Sequence, residues 1–443
     1  MESRRQRAPP LARARLAVTA LLFGVFGALL LLNAPVSFSL GLAALVTTAV
    51  DGRTPLLVLP QKMFTSLDSF PVLAVPLFVL AGAFLETGGV GRRLVNLANV
   101  LVRHLPGGLG LVVIVATIFF SEVSGSSAAD AAAIGSVTIP AMIRLGYPAP
   151  FATAIVAVAG GMAVLIPPSI TGVIYGWLAN ASVAAIFAAG FLPCFATAAA
   201  LMLYTWIYAR RHELPTEPRA SAAEIRRAVR EALPALIMPI IILGGIFGGI
   251  FTATESAAVA VLYGLAVALG YYRELRWRDL PRLLTESAVT TGIVSLLLGL
   301  AGLFAWVLTV HRIPATLASM ILALSPSPWV FLLLVNILFL IGGCFLNATA
   351  LLVILVPILL PMAERFGIDV VHFGIILLAN LGIGYVTPPV GTCLFVACSI
   401  SREPLSRVLR PLWPYLVLMV LMLGVVTYWP WLTLVGPRLL LRD

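Results

Sequence analysis

The chain has 443 residues, 61% of them hydrophobic and only 10% charged, with a mean hydropathy of +1.07. Such a composition excludes a soluble globular domain and marks an all-α, multi-pass membrane protein. The net charge of +10 does not mark a nucleic-acid binder, because the arginines sit in short loops between apolar runs, where they read as basic residues kept on the cytoplasmic side.

Taken in order, the apolar segments fall at about 16–32, 36–50, 71–87, 108–143, 149–179, 190–208, 233–252, 255–272, 285–310, 328–360, 370–400 and 412–430. Most are close to the roughly 20 residues that cross a bilayer as a helix. The first has the basic flank of a signal peptide but no clear small-residue cleavage site, so it reads as a retained helix. Segments 108–143 and 328–360 carry polar groups in the middle and are long enough for two arms of a helical hairpin. Segments 149–179 and 370–400 are too long for one straight helix. Each contains Pro-Pro, whose missing N–H donors interrupt a helix. Between residues 211 and 232 a polar linker holds a short helical stretch, Ala220 to Glu231. Trp413, Trp429 and Trp431 fit an aromatic belt. The cysteines, Cys194, Cys344, Cys393 and Cys398, lie in apolar runs without metal-ligand spacing and read as small buried hydrophobes.

The hairpins and broken helices are duplicated. Adding 221 to Pro140, Gly146, Gly161, Pro167, Pro168, Thr171 and Pro193 lands on Pro361, Gly367, Gly382, Pro388, Pro389, Thr392 and Pro414 without a gap. Loop charge relates the copies. Arg92 to Arg103 has three arginines and its counterpart, Ile313 to Leu324, none; Asn180 to Gly190 is uncharged, while Ser401 to Pro411 carries Arg402, Arg407 and Arg410. Equivalent loops thus face opposite sides, the mark of an inverted repeat. The basic connectors Arg210 to Glu231 and Arg273 to Arg282 agree with that frame. Arg4, Arg5, Arg7, Arg13 and Arg15 do not: taken alone they place the N-terminus in the cytoplasm and the Arg92 loop outside. The repeat takes precedence because several loops support it.

The division expected is scaffold helices at 1–70, a first repeat at 71–209, a cytoplasmic connector with two linking helices at 210–284, a second repeat at 285–430 and a tail at 431–443. A helix interrupted inside the membrane frees carbonyls that can coordinate Na+ and N–H groups that can hold an anion. One cation site is therefore expected where Ser124, Gly125 and Ser126 at the first hairpin tip meet Ile166 and Pro168, with Gly161 allowing close approach. The second is expected from Asn347 and Ala348 with Thr387 and Pro389, backed by Gly382. Ser126, Ser127, Asp130, Ser169, Asn347, Thr349 and Thr392 are the candidates for substrate contact. Asp130 either joins the cation site or caps the first turn of its arm. Glu86, Glu122 and Glu255 read as structural, with Glu255 a helix-start residue. No phosphate-binding loop, zinc-ligand motif or nucleophile elbow is present, which leaves an ion gradient, without cofactor, as the drive.

At Ser124-to-Asp130, Leu165-to-Ile170, Gly248-to-Thr252 with Thr254-Glu255, and Gly384-to-Gly391, the chain resembles the large membrane subunit of TRAP transporters, the tripartite ATP-independent periplasmic family. The likeness runs from about Val36 onward. It implies an elevator-type fold in the bacterial inner membrane and Na+-coupled import of an organic acid delivered by a periplasmic binding protein. It also implies a four-helix small membrane subunit as partner. Two departures stand out: Asn347 where the family usually has an acid, and Ala253 where it usually has proline. The rival readings are a stand-alone dicarboxylate or anion carrier of similar architecture and, more remotely, an intramembrane enzyme using Asp130 or Glu122.

Overall fold

The structure, a computed structural model, describes residues 10–315 and 327–441. Arg4, Arg5 and Arg7 and most of the Ile313 to Leu324 loop lie outside the described residues. Among those described there are nineteen α-helices and no strand, and eight helical segments are long and apolar enough to cross a membrane.

Helices α1 (Pro10–Leu31), α2 (Val36–Asp51), α3 (Val58–Leu67) and α4 (Ala74–Thr87) precede α5 (Val90–Val102). The first hairpin is α6 (Gly108–Ser124) and α7 (Ser127–Arg144); the first broken helix is α8 (Ala149–Met162) and α9 (Ile170–Ala179). Helix α10 (Val183–Arg211) leads to α11 (Ala222–Phe247), α12 (Ala253–Ala266) and α13 (Leu280–Val310). The second hairpin follows as α14 (Pro328–Gly343) and α15 (Ala348–Arg365), and the second broken helix as α16 (Val370–Gly384) and α17 (Thr392–Ser401). Helices α18 (Leu405–Tyr428) and α19 (Trp431–Leu440) complete the chain.

Both hairpins turn sharply for local reasons. Gly125 adopts φ +64° and its N–H bonds the Ser121 carbonyl, a left-handed cap that ends α6 and lets α7 start two residues later. At the second tip Asn347 caps α15, its Oδ1 accepting from the Ala350 N–H at 2.8 Å. Both broken helices part at Pro-Pro, and both Pro-Pro bonds are cis. After the first break Ser169 restarts the helix by accepting from the Gly172 N–H at 3.3 Å.

The two sets of helices pack across one another. Arm α7 lies against α17, and arm α15 against α9. The first halves of the broken helices, α8 and α16, touch backbone to backbone. A Cβ on Gly161 would stand 2.5 Å from the Gly382 carbonyl oxygen, and one on Gly382 would stand 2.5 Å from that of Gly161. Positions 221 residues apart therefore meet reciprocally. Buried amides reinforce the second set: Asn380 donates to Asn336 Oδ1 and Asn336 donates to Thr427 Oγ1, tying α16, α14 and α18 where lipid offers no partner.

Around this unit α13 packs on α2, α3 and α4, while α12 packs on α4 and α11 on α5. Ion pairs gather the basic connectors on one side. Arg92 and Arg93 each reach Glu274 at 2.7 Å, and Arg103 donates to the Pro218 carbonyl at 2.9 Å.

Several elements differ from the sequence expectation. The Arg92 to Arg103 stretch is helix, not loop: Leu94, Val95, Leu97 and Ala98 are buried while Arg92 is exposed, the pattern of an amphipathic surface helix. The stretch from Ala220 to Glu231 does not stop before the membrane. It begins with a Ser221/Glu224 capping box and continues as α11 to Phe247 through Pro234 and Pro239, because packing outweighs two missing hydrogen bonds. The tail at 431–443 holds a docked helix: Gly436 sits directly against the Ala188 carbonyl, and His372 Nδ1 lies 2.8 Å from Thr433 Oγ1. Trp413, Trp429 and Trp431 are exposed on the outer surface, and the rings of the last two stack at 5.7 Å.

Candidate functional site

A cavity of about 430 Å³ opens where the first hairpin tip faces α4 and α13. Hairpin residues Ser124 to Ala129 form one wall, with Ile170 and Thr171 beside them. Thr349, Tyr385 and Thr392 come from the second set of helices, and Val79, Gly82, Glu86, Glu286, Ser287 and Thr290 from α4 and α13. Gly82 permits the contact between walls, since a Cβ there would stand 3.0 Å from the Ser124 carbonyl oxygen.

The helix ends give the cavity its chemistry. First-turn residues of α7 (Ser127 to Ala129), α9 (Ile170 and Thr171), α15 (Thr349) and α17 (Thr392) all line it, so four helix N-termini converge on one space. Their unsatisfied N–H groups and positive dipole ends favour a negatively charged guest. Two hydroxyls there await a partner. Ser287 Oγ is buried without a hydrogen bond, and Thr392 Oγ1 has none of ordinary geometry, only the Cys393 thiol beside it. No arginine or lysine is among the lining residues, whereas Glu86 and Glu286 are, the latter 3.2 Å from Arg282 in an exposed ion pair.

The structure brings together only part of the expected set. Ser126, Ser127, Thr349 and Thr392 line the cavity; Asp130, Ser169 and Asn347 do not. Both carboxylate oxygens of buried Asp130 accept hydrogen bonds, from the hydroxyls of Ser121 and Ser124 on the opposite arm. Asp130 therefore clamps the hairpin and caps no helix. Ser169 and Asn347 spend their side-chain oxygens on capping α9 and α15.

Of the first cation set, Ser124, Gly125 and Ser126 line the cavity, and Pro168 presents its carbonyl to Gly125. Ile166 is buried outside the lining, and Gly161 faces Gly382 instead. In the second set Thr387 donates to the Ile383 carbonyl at 2.7 Å, and Asn347, Ala348, Gly382 and Pro389 stand outside the lining. Glu255 closes a capping box with Thr252 at the start of α12.

Sequence reasoning missed Glu286, Ser287 and Thr290. Their signal was present: a polar stripe at helical spacing at the start of an otherwise apolar span.

Replacing Asp130 with alanine leaves the Ser121 and Ser124 hydroxyls buried without their acceptor. We expect a loss of about 1–3 kcal/mol in stability. Thermal unfolding in detergent measures it, and an unchanged melting temperature would show that the clamp contributes nothing.

Comparison with known proteins places this architecture. Residues 23–432 match the family model described as tripartite ATP-independent periplasmic transporter, DctM component. The chain is 42% identical over 400 residues to the C4-dicarboxylate TRAP transporter large permease protein DctM of Pseudomonas aeruginosa, covering 90% of this chain and 94% of that one. It is 38% identical over 420 residues to the sialic acid TRAP transporter large permease protein SiaM of Vibrio cholerae, covering 95% and 98%. To the isethionate TRAP transporter permease protein DctMQ of Oleidesulfovibrio alaskensis it is 43% identical over 410 residues, 92% of this chain but only 65% of that protein's length. Among solved structures, the YdaH transporter of Alcanivorax borkumensis superposes with a TM-score of 0.65 over 89% of this chain and 97% of its own. At 17% identity that likeness concerns the fold alone.

These relatives are named as transporter permeases and not as enzymes, so Asp130 and Glu122 need no catalytic role. A family match spanning the hairpins, the broken helices and the helices around them, at this level of identity, means that the chain belongs to the DctM family, the large multi-pass inner-membrane permeases of bacterial tripartite ATP-independent periplasmic transporters.

Proposed function

We propose that this permease imports an organic anion together with Na+, with the cavity between the hairpin tips and α4/α13 as the substrate site. The observation that carries the reading is the convergence of four helix N-termini on that cavity. Helix dipoles and hydroxyls bind a carboxylate or sulfonate without arginine. The cavity also holds the carboxylates of Glu86 and Glu286, so an anion enters at a cost unless cations enter with it. Carbonyls freed at the tips and breaks are suitable oxygen ligands for Na+. Ser124 to Ser126 and the Pro168 carbonyl form the first candidate site, and Asn347, Ala348, Thr387 and Pro389 the second.

The reading includes an inverted repeat and an elevator motion. The reciprocal Gly161/Gly382 contact supports a two-fold relation, because a two-fold repeats the same atom pair in both directions, as the matching 2.5 Å approaches do here. The exchange of partners between α7/α17 and α15/α9 supports it also. The hairpins and broken helices then form the mobile unit, with α1 to α4 and α13 as scaffold. A four-helix small membrane subunit and a periplasmic binding protein complete the system. C4-dicarboxylates, sialic acid and isethionate, which appear in the relatives' names, are the substrates to try first.

Uptake into proteoliposomes holding the chain, its small subunit and its binding protein tests the reading. We expect uptake to require an inward Na+ gradient and the binding protein. Uptake indifferent to Na+ removes the coupling, and uptake without the binding protein points to a stand-alone carrier. Ser126→Ala should reduce uptake with little change in stability, since no hydrogen bond of its hydroxyl holds the hairpin together.

In the same assay Asn347→Asp should keep its cap, because aspartate and asparagine cap equally well, and so leave stability within about 0.5 kcal/mol. The added charge should lower the Na+ concentration for half-maximal uptake by about fivefold, the effect of ~1 kcal/mol from a unit charge at intermediate distance and dielectric. An unchanged Na+ dependence would separate Asn347 from the ion site.

A further inference from the structure

On the side where the basic connectors gather, a larger cavity of about 1200 Å³ lies between α5, the base of the first hairpin and the start of α11. It is separate from the substrate cavity and shares no residue with it. Five arginines line it: Arg92 and Arg93 from α5, Arg144 from the end of α7, and Arg227 and Arg230 from α11. Three are matched. Arg92 and Arg93 pair with Glu274, Arg93 also lying 3.8 Å from the centre of the Tyr272 ring, and Arg227 pairs with Glu231 at 2.8 Å. Arg144 and Arg230, on different walls, have no ion-pair partner among the described residues. The other acid of the lining, Glu217, lies 3.8 Å from Arg103.

We infer that this cavity binds the headgroup of an anionic phospholipid, with its phosphodiester between Arg144 and Arg230. Two unmatched guanidiniums facing one space suit a phosphate, whose oxygens accept several N–H bonds together. Basic pockets between helices on the cytoplasmic side hold anionic headgroups for this reason.

The surroundings favour a lipid over a soluble anion. Beside the arginines Ile143, Leu145, Val229, Leu233 and Tyr271 are all exposed, an apolar rim on which acyl chains can lie while the phosphate stays with the arginines. Inside, Asn99 Oδ1 is buried without a hydrogen-bond partner, and a hydroxyl of a glycerol headgroup can donate to it. Phosphatidylglycerol carries both groups. Because the walls belong to the hairpin base on one side and to α5 and α11 on the other, the bound lipid ties the two together.

Lipid binding at this cavity does not depend on transport and is measured without it. The delipidated full-length chain in detergent is titrated with phosphatidylglycerol, phosphatidylcholine and inorganic phosphate, and bound lipid is counted by native mass spectrometry. We expect phosphatidylglycerol to be retained and phosphatidylcholine not. Arg144→Gln/Arg230→Gln should weaken phosphatidylglycerol about twenty-fivefold, at roughly fivefold for each arginine near a membrane surface. Arg144→Lys/Arg230→Lys keeps both charges and should stay within about threefold of wild type, which guards against a folding defect.

Equal retention of phosphatidylcholine, or unchanged binding in the glutamine variant, overturns the site. Inorganic phosphate displacing the lipid at matched concentration makes it a site for soluble anions and overturns the lipid assignment.

Discussion

Thr392→Val is expected to cut uptake roughly tenfold or more while leaving the melting temperature unchanged or raising it. Most substitutions in a binding site lose stability and function together, and this one should separate them. The Thr392 hydroxyl is buried at the first turn of α17, lines the cavity and has no hydrogen bond of ordinary geometry, so the substrate-free protein carries the cost of an unsatisfied polar group. Valine has the same shape and removes that cost. A hydrogen bond to a charged ligand is worth about 1.5–3 kcal/mol, and its loss corresponds to a ten- to hundredfold fall in affinity. Ser287→Ala, which removes the other orphan hydroxyl from the opposite wall, should behave in the same direction. Uptake at the wild-type rate in both variants would move the substrate site elsewhere. Parallel loss of stability and uptake would make Thr392 a packing residue.

Gly161→Ala should have the opposite signature, losing stability and uptake together. A methyl group at this position would stand 2.5 Å from the Gly382 carbonyl oxygen, which is backbone and cannot rotate away. Overpacking of this kind costs about 1–3 kcal/mol and forces α8 and α16 apart. Both helices run directly into the breaks that help build the cavity, so the displacement reaches the substrate site. We expect uptake to fall about tenfold or more, since binding geometry tolerates only about 0.5 Å of error.

Gly382→Ala should match it, because the contact is reciprocal. Gly244→Ala in α11 and Gly424→Ala in α18 are the controls: a Cβ at either has no neighbour within 4 Å. Alanine there should be neutral or stabilising by about 0.5–1 kcal/mol, the ordinary gain from replacing a helical glycine. A Gly161→Ala variant that melts and transports like these controls would remove the interlock.

The primary structure alone determined the membrane class, the two hairpins, the two breaks and their spacing. Each rests on a local rule. An apolar run of sufficient length must be helix in lipid, Pro-Pro must interrupt a helix, and a gapless offset of 221 residues recurs in the helix starts, from Ser127 and Ala149 to Ala348 and Val370. The family likeness was legible for the same reason, being carried by the residues that make the first tip, the two breaks and the turn between α11 and α12.

Tertiary structure decided which of those residues face a common space. Asp130 looked like an ion ligand or a cap, yet the opposite arm supplies two serine hydroxyls that claim it. Gly161 is expected from the sequence to allow close approach and Gly382 to stand behind the second break; that what they approach is each other, across more than two hundred residues of chain, only the assembled helices show. Glu286, Ser287 and Thr290 reach the hairpin tip only because α13 packs beside α4. The continuity of α11 through two prolines and the docking of α19 were settled by packing against partners distant in sequence. Periodicity and breakers act over one or two helical turns and so can be read from the chain in order. Which polar atom finds which partner depends on contacts made only once all the helices have assembled.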